Sequence, residues 1–301
     1  MILATHYHFI RLRLINDTRE PKGENNTLRQ HNRKEIAKNA ECQTIISEMR
    51  NVEKFISEFG FLSLGRDFIM CKNRAFSIQM VSTACELTLG NVISCCEAGC
   101  IADAYSLLRK YRDDLFFYLY IEVFHTSNML GDEVDYLDEM EKNIDLWTKG
   151  KLSNLHESKV LTRIGKIPRL KEAVDRYQLK GFLDEIGNRL NDYVHSNGIQ
   201  LYNRAVTGYI ISEIQRELRG VLTDMRRITI TMLFLLTLCS PLSIMSTDYT
   251  DYLDNGETPP EGSQYWAAPF VSDFFRDNLV LIDKNCFEYL KDNTSMIFDY
   301  T

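Results

Sequence analysis

The sequence predicts an all-α protein, and three observations lead to this fold class. First, only 15 Gly and 6 Pro occur among 301 residues, too few for the closely spaced turns of a β-sandwich or barrel. Second, apolar residues recur at helical spacing in several long segments, whereas no convincing strand alternation is found. Third, a content of 45% hydrophobic and 26% charged residues is average for a globular chain, which excludes disordered and low-complexity architectures.

The N-terminal half predicts a leader followed by apolar helices. The predicted segments are a flexible leader at 1–33 and helices at 34–59, 76–97 and 101–125. The leader is polar from Asn16 onward and contains Pro21 and Gly23, which do not favour a helix. Because the helix at 101–125 is hydrophobic on nearly every face, we expect it at the centre of its bundle.

The C-terminal half continues the helical pattern. The predicted helices are 132–147, 168–179, 182–196 and a long one from Ala205 onward. Gly150 and Gly198 are expected to end two of them, and Pro168 suits the first turn of another, where its missing N–H costs nothing. These helices complete a bundle at 34–245. An acidic, aromatic-rich extension of helices and loops follows at 246–301, and its Pro- and Gly-containing part at 248–270 is predicted to be a loop packed over the bundle end.

The uncharged run at 228–245 admits two interpretations. Its 18 residues reach the lower limit for a membrane span, and Arg226 and Arg227 beside it would orient such a span. However, the run contains Thr, Ser and Pro241, and it continues the apolar stripe of the preceding helix without a break. A buried core helix is therefore favoured, and membrane association through 228–245 is the alternative.

Charge and cysteine content restrict the class of protein further. The formal charge is −7, yet residues 159–227 hold 13 basic and 8 acidic side chains, a local excess of +5. Such a chain is no general nucleic-acid coat, although one basic block could meet RNA locally. The eight cysteines have neither a disulfide framework nor paired zinc-ligand spacing. We expect buried thiols, a cytoplasmic location, and neither a metal nor a cofactor.

The usual catalytic and nucleotide-binding motifs are absent, which leaves one candidate histidine. The sequence has no Gly-rich phosphate loop, no H-E-x-x-H and no G-x-S-x-G. His195 stands apart from the other five histidines, because it ends a predicted helix that also carries Arg189. Histidine transfers protons near neutral pH, and arginine binds phosphate through two hydrogen bonds without titrating.

The spacing within this helix sets the geometry of the candidate site. At about 100° per residue, Arg189 and His195 lie about 120° apart around the helix axis. The two side chains can therefore converge only in three ways: through the length of the arginine side chain, through a distorted helix end, or through a facing copy in a dimer. Asn188, Asn191 and His195 share one face, where the two amides could orient the imidazole and hold ribose or phosphate. Asp192 is a candidate for substrate binding too, or alternatively for an inert ion pair with Arg189.

Two further arginines interrupt the apolar helix at 101–125. Charges in such a helix must be paired or must face a cleft. Arg109 is expected to pair with Asp113 at i, i+4 spacing, and both Arg109 and Arg112 are candidates for a second phosphate contact.

The Arg189–His195 segment, together with the apolar helices before it, resembles the HEPN superfamily. An arginine followed by four to six residues and a histidine near a helix end is the signature of that superfamily, and five residues intervene here. The segment LNDYVHSNG and the helix AYSLLRKYRDDLFFYL are similar to defence-type members. The resemblance covers about residues 76–240, and it departs from many active members in having Leu190, not a polar residue, directly after the arginine.

The resemblance implies an all-α HEPN-like domain with metal-independent endoribonuclease activity in antiphage defence or toxin-type growth arrest. His195 would be the acid–base, Arg189 the group that stabilises charge on phosphate, and Asn191 the orienting residue. The implied partners are RNA, a second copy in a homodimer, and an antitoxin or regulatory protein. Two alternatives stay open: a non-catalytic HEPN-like module that binds RNA, nucleotide or protein, and a membrane-associated helical effector.

Overall fold

The computed structural model describes residues 28–62, 68–71, 74–131, 137–152, 157–195 and 211–298. The helices are α1 (Leu28–Lys38), α2 (Ala40–Leu62), α3 (Ile78–Glu97), α4 (Ile101–Leu130), α5 (Leu137–Thr148), α6 (Glu157–Ile164), α7 (Pro168–Arg176), α8 (Leu179–Val194), α9 (Ile211–Cys239), α10 (Asp248–Asp254), α11 (Pro269–Asn278) and α12 (Cys286–Asn293). Strands β1 (Phe68–Cys71) and β2 (Arg74–Ser77) form one antiparallel hairpin. The fold is thus predominantly helical, and the all-α prediction is confirmed.

The core of the fold is a ring of four helices in which α2, α3, α4 and α9 each contact the next. Helices α2 and α3 are antiparallel, because Gly60 lies against Ser82 whereas Arg50 pairs with Glu97. The three-residue turn after α3 reverses the chain again into α4. Helix α9 lies parallel to α4, with the Tyr111 hydroxyl 2.7 Å from Thr229 Oγ1.

Helix α4 lies at the centre of the fold, as its hydrophobic character predicted. It packs on five other helices, α3, α5, α6, α8 and α9. Its large aromatic side chains, among them Tyr105, Tyr111, Phe116 and Tyr120, are almost completely buried. Because most faces of this helix contact other helices, apolar residues are needed on most of its surface.

Two helix boundaries at the N-terminal end differ from the prediction. The leader up to residue 27 lies outside the described residues, and helix begins at Leu28, not at Lys34. The single helix expected at 34–59 is two helices, separated at Asn39. The Asn39 side chain accepts a hydrogen bond of 3.0 Å from the Cys42 N–H and so caps the N-terminus of α2. This capping interaction competes with a continuous helix and produces the break.

The β-hairpin is a feature that the sequence did not predict. Phe68 pairs with Ser77 and Cys71 with Arg74, so each strand has only four residues. Such short strands give no recognisable alternation pattern. As a consequence α3 begins at Ile78, two residues after the predicted start.

The uncharged run at 228–245 is a core helix followed by a 3-10 turn. Helix α9 ends at Cys239, and Pro241 begins the turn Pro241–Ile244. The helical part of the run, 228–239, is buried against α4 and the C-terminal helices. The hydroxyls of Thr229 and Thr231 each donate to a carbonyl four residues earlier, at 2.7 Å, so these polar groups are satisfied inside the protein. Within the described residues no helix is long and apolar enough to cross a membrane.

The C-terminal extension packs on the bundle. The segment 248–270, predicted as a loop, contains α10 and a 3-10 turn (Ser263–Tyr265). Acidic residues in the first turn of α10 interact favourably with the helix dipole, and the helix ends before Gly256, which has φ 71°. Helix α11 packs against α2 and α9, where the rings of Phe274 and Phe55 stack with centroids 3.9 Å apart. The extension is therefore part of the core.

Candidate functional site

Helix α8 positions the residues that the sequence singled out. Leu183, Ile186 and Leu190 are completely buried, and α8 packs on α4, α6 and α7 with this face inward. Leu190 belongs to this core face, which is the reason for an apolar residue directly after Arg189. Arg189 itself lies at the edge of the buried face, toward α9.

Arg189 forms an ion pair with a buried carboxylate on α9. Its Nε and Nη2 donate to the two oxygens of Asp224 at 2.8 and 2.5 Å, and Nη1 lies 3.7 Å from Glu185. The side chain of Asp224 is only 1% exposed, whereas that of Arg189 is 35% exposed. Burial raises the pKa of Asp224 above its ordinary value, and the hydrogen bonds and charge of Arg189 oppose this rise. The arginine is therefore held in place by a partner other than Asp192, with which the sequence suggested a pair.

A buried polar cluster surrounds this ion pair, formed by Tyr105, Arg189, Tyr193, Glu217 and Asp224. The rings of Tyr105 and Tyr193 stack with centroids 4.2 Å apart, and the Tyr193 hydroxyl donates to Glu217 at 3.2 Å. Burial raises the pKa of Tyr105, and the nearby carboxylates add to the rise. The cluster thus joins α4, α8 and α9 through two tyrosines and one ion pair.

The close approach of α4 to α9 in this cluster depends on Gly220. A Cβ at this position would lie 2.7 Å from the Tyr105 hydroxyl, so the buried tyrosine would have to shift to admit it. Glycine inside a helix is unfavourable by about 1 kcal/mol relative to alanine. At Gly220 this cost is offset by the space that admits the tyrosine hydroxyl.

His195 lies at the C-terminal end of α8, where its side chain is exposed. Its backbone N–H donates to the Asn191 carbonyl at 2.9 Å and closes the last turn. Asn188 is exposed too, whereas Asn191 is half-buried and its Oδ1 is buried without a hydrogen-bond partner. Among the residues that the structure describes, no hydrogen bond joins the His195 imidazole to Arg189.

The two arginines of α4 share one carboxylate. Arg109 Nε lies 3.8 Å from Asp113, which is the i, i+4 pair expected from the sequence. Arg112 is almost completely buried, and its Nε and Nη2 donate to Asp113 Oδ1 at 3.0 and 2.8 Å. Since Asp113 receives both guanidinium groups, they are arranged as a structural ion-pair network, separate from the partners of Arg189.

Acidic side chains neutralise much of the basic block at 159–227. Arg219 pairs with Glu41, Arg226 with Glu48 and Arg163 with Glu139, so carboxylates outside the block supply the counter-charge. These pairs with acids outside the block reduce the local excess among the described residues.

Sequence reasoning did not find Asp224, Glu217 or the two tyrosines of the polar cluster. The sequence did contain a signal for the two acids. One face of α9 carries Glu217, Val221, Asp224 and Ile228, at i, i+4, i+7 and i+11 spacing. The two acids therefore interrupt an apolar stripe. For the tyrosines there was none, because their contacts join helices that are distant in sequence.

No set of three or more histidine, cysteine or acidic side chains that could hold a metal ion occurs in the described part of the chain. Of the cysteines, Cys85 and Cys96 are completely buried, whereas Cys95 and Cys100 are partly exposed. No family model, curated protein or solved structure matches this chain.

Proposed function

We propose that this chain is a HEPN-like, metal-independent endoribonuclease that acts in antiphage defence or growth arrest from the cytoplasm. The observation that carries the proposal is the arrangement of α8: the His195 imidazole is open to solvent at the helix end, and Arg189 on the same helix is held in one orientation by Asp224 while remaining about one third exposed. RNA cleavage without a metal needs proton transfer and stabilisation of charge on the phosphate, which an accessible histidine and a rigid guanidinium can supply.

The chemistry assigned to these groups is intramolecular attack of a ribose 2′-oxygen on the adjacent phosphorus. The His195 imidazole takes the 2′-OH proton, the bond from phosphorus to the 5′-oxygen breaks, and the imidazolium returns the proton to that oxygen. The products are a 2′,3′-cyclic phosphate and a 5′-OH. Arg189 donates two N–H groups to Asp224, and its remaining N–H groups are the ones available to the phosphate.

The second candidate function is a non-catalytic HEPN-like RNA-binding module, and the same ion pair favours it. Asp224 offsets the charge of Arg189, which weakens its attraction for phosphate. In this alternative Arg189 stabilises the fold, and α8 only contributes contacts to a bound strand.

Cleavage of a labelled oligoribonucleotide in the presence of EDTA distinguishes the two candidates. We expect the wild type to cut the strand and leave a cyclic phosphate. His195→Ala should cut at least about 100-fold more slowly. A strand with 2′-deoxy sugars should not be cut. Lys180→Ala is the matched control, because Lys180 is an exposed residue of the same helix.

Each other outcome is informative. Binding of the strand without cleavage, measured by fluorescence anisotropy, selects the non-catalytic module. Equal cleavage by wild type and His195→Ala excludes His195 from the mechanism. If the protein neither binds nor cuts the strand, RNA is excluded as the ligand.

A further inference from the structure

The C-terminus of α3 is a Schellman motif that brings two cysteines together. Gly99 has φ 71°, a left-handed conformation that suits glycine, and its N–H donates to the Cys96 carbonyl at 3.0 Å. The Cys100 N–H donates to the Cys95 carbonyl at 2.8 Å. These two hydrogen bonds define the motif, and Cys95 and Cys100 occupy the two positions whose side chains frequently contact each other in it.

The backbone geometry of this turn matches that of a disulfide. Because Cys100 N lies 2.8 Å from Cys95 O, standard bond lengths hold the two Cα atoms no more than about 6.7 Å apart. Cα atoms that a disulfide joins usually lie about 4.4–6.8 Å apart. The separation therefore permits a disulfide without rearrangement of α3 and α4.

Exposure distinguishes Cys95 and Cys100 from the neighbouring thiols. Both are thiols in the structure, and both are partly exposed. The other cysteines whose side chains the structure describes are buried: Cys42, Cys85, Cys96, Cys239 and Cys286. Burial raises the pKa of Cys96, and the adjacent Cys95 adds to the rise. Since the thiolate is the reactive form of cysteine, the Cys96 thiol does not compete with the exposed pair.

The ligand set around the pair does not suit a structural metal. A structural zinc site takes four ligands, and two cysteines supply only half of them. In the described ranges no group of three or more histidine, cysteine or acidic side chains could complete such a set. The chemistry that two adjacent, partly exposed thiols support is therefore thiol–disulfide exchange.

We propose that Cys95 and Cys100 form a redox-modification site, which a small-molecule disulfide such as oxidised glutathione converts to a reversible intramolecular disulfide. One cysteine thiolate attacks a sulfur of the small disulfide, so a mixed disulfide forms and one small thiolate leaves. The thiolate of the second cysteine then attacks the sulfur of the first, and the other small thiolate leaves. The two cysteines lose two electrons and two protons, and the small disulfide becomes two thiols. Exposed disulfides are the labile kind, so an excess of reduced thiol reverses both steps.

The proposal goes beyond the ribonuclease proposal and does not depend on it. The site lies at the junction of α3 and α4, and neither cysteine belongs to the polar cluster around Arg189. Its test therefore needs no RNA and no measurement of cleavage.

Mass spectrometry of the intact, folded chain after incubation with oxidised glutathione is the test. The wild type should lose two thiols and about 2 Da, the mass of two hydrogen atoms, and should retain no glutathione. Cys95→Ser and Cys100→Ser each remove the thiol that resolves the mixed disulfide, so each should keep one glutathione, a gain of about 305 Da. Dithiothreitol should restore all three samples. Cys96→Ala is the matched control and should oxidise like the wild type.

Peptide mapping of the wild type locates the bond without any variant. Cleavage after Glu86 and Glu97 leaves Cys95 and Cys96 on one peptide and Cys100 on the next. The two peptides should be linked after oxidation and separate after reduction, and fragmentation of the linked pair should place the bond at Cys95. A folded wild type that retains glutathione overturns the proposal. So do a bond from Cys100 to Cys96, and a wild type in which neither thiol reacts.

Discussion

Replacement of Arg189 by methionine tests the account of the buried ion pair most directly. Methionine keeps much of the aliphatic length but removes the guanidinium, and Asp224 is then left 1% exposed without its two hydrogen bonds. Removing one partner of a buried pair costs about 3–5 kcal/mol, and the partial exposure of Arg189 places the expected loss toward the lower value. We therefore expect the free energy of unfolding to fall by about 3 kcal/mol at neutral pH.

The loss should depend on pH with a defined sign. The folded-state pKa of Asp224 is already raised by burial, and Arg189 opposes the rise, so the variant raises this pKa further. A carboxyl group with a raised folded pKa binds its proton more tightly in the folded state, so its contribution to stability grows as pH falls and is lost as pH rises through that pKa. The deficit of the variant should therefore be smaller at about pH 5 than at about pH 8.

Urea unfolding followed by circular dichroism measures these differences. Lys171→Met is the matched control, because Lys171 and Asp175 form an exposed i, i+4 pair whose loss should cost less than about 0.5 kcal/mol. The double variant Arg189→Met/Asp224→Leu should recover most of the loss, since a buried pair can be replaced by apolar residues. A deficit below about 1 kcal/mol, or one that is equal at both pH values, would refute the reasoning.

Two further predictions concern backbone positions. Gly220→Ala should lower the free energy of unfolding by about 1–2 kcal/mol, because the new Cβ meets the Tyr105 hydroxyl. Gly181→Ala is the comparison: a Cβ there meets nothing within 4 Å, so this variant should raise the free energy of unfolding by about 0.5–1 kcal/mol. Thermal unfolding measures both, and a stabilising Gly220→Ala would contradict the close approach. Gln178 has φ 48°, a left-handed conformation, so Gln178→Gly should stabilise the protein by about 0.5–1 kcal/mol. A lower melting temperature for this variant would show that the residue is not strained.

Much of the helical architecture could be predicted because the relevant signals are local. The apolar faces of α4 and α9 and the stop at Gly150 are readable from spacing and from single residues. The break at Asn39 was missed, since the apolar pattern continues across it and only a capping hydrogen bond interrupts the helix. The hairpin was missed because its strands are too short for a pattern.

The candidate site was harder to predict because its contacts are non-local. The sequence placed Arg189 and His195 on one helix, and the structure agrees with the helix. The partner of Arg189 is Asp224, 35 residues away on α9, and no spacing rule connects the two. A local pair with Asp192 was one of the two roles that the spacing left open for that residue, whereas the structure turns the arginine toward α9.

The parallel packing of α4 and α9 has a consequence for the order of folding. Helices α2, α3 and α4 follow one another through short connections and can associate early, whereas Tyr111 and Thr229 are separated by 118 positions. Closing so long a loop lowers the chain entropy before stabilising contacts form, so we expect α9 to dock late. Asp224, Glu217 and Gly220 all belong to α9, and the environment of Arg189 therefore forms only when α9 docks. A nascent or truncated chain that lacks α9 would carry His195 without this environment.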